Sequence, residues 1–149
     1  MAAGDVVVCS TGLIGERLPM GLLLPGVEAA VEELSVDGGL AAATAIMTTD
    51  SVPKTATAVR DGWSVGGMAK GAGMLAPALA TMLVVITTDA VIEGAHVADD
   101  LDAVLRSATA MTFDRIDSDG CMSTNDTVLL MASGASGTTV ALADLTDAV

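Results

Sequence analysis

Trp63 and Phe113 are the only aromatic residues in a chain of 149, although 52% of it is hydrophobic. A core for this chain must therefore be assembled from Ala, Val, Leu and Met, in many small close contacts rather than around large rings. Sixteen glycines let backbone segments run close together, and nine methionines suit irregular gaps. The length fits one domain or part of one, with enough chain to enclose an interior. A mean hydropathy of +0.64 lies far from the composition of disordered chains.

Charge removes several function classes. Nineteen acidic residues face six basic ones, a formal net charge of -13. Nucleic-acid backbones and anionic membranes both demand Lys and Arg, so neither is an expected partner. Stacking of single strands is excluded as well, because no aromatic platform exists. The uncharged stretch from Gly71 to Thr88 reaches the lower limit of a membrane span. Gly71, Gly73 and Pro77 interrupt it, however, and its β-branched second half predicts a loop feeding a buried strand. The first residues carry no basic, apolar leader, so a reducing cytoplasm is the expected location. Cys9 and Cys121 form no CxxC or metal spacing and are read as buried structural thiols.

Residues 5–9 predict a short buried strand. Pro19 and Pro25 punctuate a linker, after which Gly26 to Leu34 predicts a helix with Val27, Ala30, Val31 and Leu34 on one face. Leu40 to Met47 is Ala-rich and ambiguous, and residues 55–70 suit extended structure. Asp99 is a candidate N-cap for a helix from Asp100 to about Met111, with Leu101, Val104, Leu105 and Ala108 as its stripe. Thr127 to Ala132 predicts another buried strand. Two apolar runs end in Thr-Thr-Asp, at Asp50 and at Asp89, and predict two similar exits at a common sheet end. The alternation of strands and helices indicates an α/β or α+β layered domain.

Most local motifs fail on chemistry. Gly71-Ala-Gly73-Met-Leu-Ala76 matches GxGxxA, but Pro77 occupies the place where a dinucleotide-binding helix should run. Asp117, Asp119 and Asp126 suggest a calcium loop, yet the register puts Arg115 where the first ligand must be acidic. His96 is the sole histidine, with no Cys near it in sequence, so no metal is expected. No GxSxG occurs.

Acyl chemistry without histidine needs another base, and the α-amine of an N-terminal Thr is one, with a pKa near neutrality. Thr81 follows the small residue Ala80, between the Gly/Pro loop and the buried strand. From its residues alone, this position reads first as a strand threonine, with the nucleophile as the lesser alternative.

Four ordered stretches carry a resemblance. They are Cys9-Ser-Thr-Gly-Leu-Ile-Gly-Glu-Arg-Leu-Pro-Met20, Ala45-Ile-Met-Thr-Thr-Asp50 with Pro53-Lys54, Met68-Ala-Lys-Gly-Ala-Gly-Met-Leu-Ala-Pro-Ala-Leu-Ala-Thr81, and Gly120-Cys-Met-Ser-Thr-Asn-Asp-Thr-Val128. Together they resemble the central part of the ornithine acetyltransferase (glutamate N-acetyltransferase, ArgJ) family, around its self-cleavage site. The resemblance implies a layered α/β sandwich of the ArgJ/DmpA-like type over residues 1–149, divided by cleavage into 1–80 and 81–149. It implies scission between Ala80 and Thr81, with Thr81 as nucleophile and Thr11 and Gly12 as the oxyanion pair. Thr48, Lys70 and Thr81 would bind the substrates N-acetylornithine and glutamate. No cofactor is needed for such exchange, and acetyl-CoA stays open as a donor. Family members are longer on both sides, so this chain corresponds to the middle of the pattern and lacks counterparts of its later substrate residues. The expectation is therefore an oligomer or partner segments completing the pocket. An inert, folded derivative and a self-processing amide hydrolase remain the alternatives.

Overall fold

A computed structural model describes residues 4, 6–13, 15–72, 82–116, 123 and 125–149. Its centre is a four-stranded sheet in the order β1-β2-β3-β4. The strands are β1 (Lys54–Arg60), β2 (Trp63–Lys70), β3 (Leu83–Thr88) and β4 (Thr127–Ala132). β1 and β2 form a hairpin closed by Asp61 and Gly62, with Arg60 paired to Trp63. Gly62 has φ +80°, a conformation that a two-residue hairpin connection requires and that a side chain resists. β3 runs antiparallel to β2 and parallel to β4. A parallel neighbour needs a crossover, and the helix Val97–Met111 lies in that connection.

Four α-helices among the described residues accompany the sheet: α1 (Met20–Glu32), α2 (Gly39–Ala45), α3 (Val97–Met111) and α4 (Leu142–Ala148). α3 and α4 pack together on one sheet face. The core there joins Trp63, Val65, Val84 and Ile86 of the sheet to Val104 of α3 and Leu145 of α4. Residues alternate sides along a strand, so the opposite face carries Gly66, Met68, Val85 and Thr87, and α2 lies over it. The fold is thus a mixed α/β layered structure, as the sequence predicts. Trp63 anchors the core, and Phe113 is partly buried against it.

The strand at Thr127–Ala132 has the predicted bounds but is half-buried rather than buried, and the uncharged run near residue 82 is β3, paired on both edges. No helix among the described residues is long and apolar enough to cross a membrane. Several expectations need correction. Residues 6–10 form no strand, and Val6, Val7 and Val8 are exposed, because no neighbouring strand accepts their backbone groups.

α1 starts at Met20 rather than Gly26 and contains Pro25. Pro19 and the apolar run Met20–Leu24 begin the helix, with the Leu22 and Leu23 N–H groups donating to the Pro19 carbonyl. Pro25 lies in the second turn, where it forfeits the bond to the Gly21 carbonyl. α3 begins at Val97, with His96 rather than Asp99 at its N-cap position; Asp99 and Asp100 sit in the first turn, beside the positive end of the helix dipole. Cys9 is a free thiol, only half-buried, and Cys121 lies outside the described residues.

The two Thr-Thr-Asp segments also differ from expectation. Asp50 stands at the Lys70 end of β2 and Asp89 at its opposite end. Only the second follows a strand. What they share is an anchoring role: Asp50 accepts from the Gly71 N–H at 2.9 Å, and Asp89 accepts from the Ser64 N–H at 2.7 Å. Each carboxylate ties down one end of the same strand.

Candidate active site

Lys70 closes β2, paired with Leu83 at the start of β3, and only 1% of its surface is exposed. A lysine in that position is costly unless its ammonium finds partners. The strand alternation that puts Met68 and Gly66 beneath α2 directs Lys70 to the same side. The chain leaving α2 brings Thr48 there, and the Lys70 ammonium donates to Thr48 Oγ1 at 3.5 Å. Among the described residues, that long contact is its hydrogen bond, for a group with three hydrogens to give. Burial lowers the Lys70 pKa below the ordinary lysine value, and attraction to Asp50 and then Asp126 opposes the shift.

Asp50 sits between these elements with its side chain wholly inaccessible. It accepts from the Lys54 ammonium, the Gly71 N–H at 2.9 Å and the Thr48 N–H at 3.4 Å. Burial pushes the Asp50 carboxyl pKa up. The hydrogen bonds from Lys54, Gly71 and Thr48 outweigh it and hold the group below the ordinary carboxylate value. Lys54 reaches further, donating to the Gly71 carbonyl at 2.9 Å. Gly71 itself has φ +139°, and a Cβ there would stand 3.4 Å from Met82 Cα. The exit of β2 and the entry of β3 are therefore in close contact.

Met82 is the residue after Thr81, and its backbone is held on both sides. Its N–H donates to Asp126 Oδ1 at 2.8 Å, and its carbonyl accepts from the Thr127 N–H at 2.9 Å. Thr81 and Ala80 themselves lie outside the described residues, as do Gly73 to Ala76 of the GxGxxA match. The described residues bring Thr48 and Lys70 together at the sheet end adjoining Met82. Thr11 and Gly12 are not joined to them: no hydrogen bond or ion pair among the described residues links the two groups. Gly12 is exposed, and a Cβ there would meet only Leu18.

Sequence reasoning assigned no role to Asp50 and Lys54, although both stood in quoted motifs. Their spacing of four residues across Pro53 was the available signal. Asp126, which the sequence suggests only as a calcium ligand, accepts from the backbone N–H of Met82. His96 has a largely exposed side chain, 3.8 Å from Asp99. No group of three or more metal-ligating side chains occurs among the described residues.

Comparison with known proteins places this arrangement. The ArgJ family model matches residues 1–149. The arginine biosynthesis bifunctional protein ArgJ of Streptomyces coelicolor is 69% identical over 137 residues, covering 92% of this chain and 35% of that protein. The protein of the same name from Mycobacterium leprae is 66% identical over 148 residues, 97% of this chain and 35% of its own. That from Thermobifida fusca is 65% identical over 138 residues, 93% and 35%. The chain thus spans about a third of the length of these relatives. A family model matching the whole chain and identity of this order over nine-tenths of it or more leave one conclusion. The chain belongs to the ArgJ family.

Proposed function

We propose that this chain carries the centre of an acetyl transfer from N-acetylornithine to glutamate, with Thr81 as an N-terminal nucleophile released by scission after Ala80. The observation that carries the reading is the buried Lys70 ammonium beside Thr48 Oγ1, at the sheet end where the chain enters β3 at Leu83, two residues past Thr81. Donor and acceptor in this reaction share an α-amino-acid carboxylate. A cation almost stripped of water, with one long hydrogen bond among the described residues, suits that group. The names of the relatives, which place them in arginine biosynthesis, support the substrate pair.

The chemistry follows from the residues. The Thr81 hydroxyl attacks the acetyl carbonyl while its own α-amine takes the proton. Thr11 and Gly12 serve as donors to the tetrahedral oxyanion, a role that in other acyl-transfer enzymes is worth about 3–4 kcal/mol per donor. Ornithine leaves with the transferred proton, and acetyl remains on Thr81 as an ester. The glutamate amine then attacks the ester and carries acetyl away. No cofactor enters this exchange, and acetyl-CoA is an alternative donor into the same ester. Self-association and a cytoplasmic location complete the reading.

Intact mass under denaturing conditions tests it first, beside Thr81→Ala. Two pieces of 80 and 69 residues, absent from the variant, are expected. Acetyl exchange between N-acetylornithine and glutamate should accompany them. A single uncut 14.7 kDa species without exchange overturns the reading in favour of an inert family derivative. Release of acetate without glutamate points instead to an amide hydrolase.

A further inference from the structure

Lys54 and Asp50 are more than a surface ion pair. The Asp50 side chain is inaccessible, whereas 46% of the Lys54 side chain is exposed, so the pair reaches inward from solvent. Three donors converge on the one carboxylate: the Lys54 ammonium, the Gly71 N–H and the Thr48 N–H. Lys54 also takes the Gly71 carbonyl, so both polar groups of Gly71 are held by the pair. Thr48 and Gly71 are the two residues that bracket Lys70. One offers its hydroxyl to the ammonium, and the other follows it in the chain.

We propose that Asp50, with Lys54 as its counter-ion, is a positioning residue that locks the Thr48 turn to Gly71 and thereby holds the Lys70 ammonium ready for an anionic substrate group. This rests on the reading of Lys70 as the carboxylate-binding group. Lys54 cancels much of the Asp50 charge, so Lys70 keeps an attraction strong enough to stay charged but too weak to be satisfied. Asp126 contributes a second, constant attraction from the β4 side.

Lys54 and Lys70 are the only lysines in the chain, so a lysine side-chain NMR titration of the full chain contains two resonances, assigned with Lys54→Met. Asp50→Asn removes the negative charge and is expected to lower the Lys70 midpoint by roughly 1 pH unit. Lys54→Met exposes Lys70 to an uncompensated Asp50 and is expected to raise it. Opposite signs are the signature of the clamp. A merely structural role loosens the site in both variants, rehydrates Lys70 and raises both midpoints. An unchanged or raised midpoint in folded Asp50→Asn overturns the proposal.

Should Asp50→Asn fail to fold, the half-exposed Lys54 decides. The shift of the Lys70 signal on saturation with N-acetylornithine is expected in Lys54→Arg and lost in Lys54→Met. Equal shifts in the two overturn the proposal. If the unaltered chain shows no Lys70 shift with N-acetylornithine or glutamate, the acetyltransferase reading falls. The opposed titrations still decide whether Asp50 sets the state of Lys70.

Discussion

At the scale of single residues, two titrating groups make opposite demands on pH. Asp50 has a folded-state pKa below that of the unfolded chain. Its stabilisation is therefore complete above about pH 3.9, the free carboxylate value, and is lost as pH falls through the lower folded value. Urea unfolding between pH 2 and 5 should show this dependence, and Asp50→Asn should flatten it. Lys70 has a lowered pKa because burial disfavours its charge. In the proposed transfer the substrate carboxylate needs the protonated form, so KM for N-acetylornithine should climb with rising pH at a midpoint below the ordinary lysine value. Lys70→Met should remove that limb and raise KM by about a hundredfold, the scale of a lost charge-assisted bond. Both residues stood in motifs legible in the sequence. That Asp50 anchors Gly71 was not legible, because the contact spans 21 positions.

At the scale of elements, the hairpin and the β2–β3 junction depend on backbone that only glycine adopts easily. A Cβ on Gly62 would lie 2.9 Å from Thr138 Oγ1, and φ there is +80°. Gly62→Ala should cost about 1–3 kcal/mol in urea unfolding, from strain and displacement of Thr138. The Thr138 hydroxyl donates to the Gly62 carbonyl at 2.9 Å, so the hairpin turn is also tied to the segment before α4. The hydrophobic runs of β3 and β4 and the three-and-four stripe of α3 were readable from residue types, because each meets a buried face. α1 was misread at its start: Pro19 and Pro25 invite a linker, while the apolar run between them forms helix and buries none of its residues. Two glycines and an internal proline give it poor intrinsic propensity, and with no buried face its start has no apolar stripe to mark it.

Across the whole molecule, apolar surface and net charge oppose each other. Leu22, Leu24, Val27 and Val31 of α1 are exposed, as are Val6, Val7 and Val8. Exposed apolar surface favours association, while a net charge of -13 repels like chains. Sedimentation should therefore show concentration-dependent growth in size that strengthens with added salt, because salt screens the repulsion. Leu22→Glu with Val31→Glu should suppress it. The core is the other whole-molecule quantity. Leu145 is fully buried against the sheet, and Leu145→Ala should lower stability by about 2–5 kcal/mol in the same denaturation.

The residue pattern by itself determined the α/β class, the β4 strand, the helical stripe of α3 and the family resemblance. Each depends on composition or on spacing within a few positions, where backbone periodicity turns order into faces. Tertiary structure decided that Asp50 and Asp89 hold opposite ends of one strand, and that Lys54, Asp50, Thr48, Lys70 and Gly71 form one cluster. Those relations arise when antiparallel β2 and β3 return the chain to the same sheet end and the turn after α2 delivers Thr48 and Asp50 there. The physical reason is that a buried charge is satisfied by whatever the fold brings within about 3 Å, and sequence spacing does not record that distance.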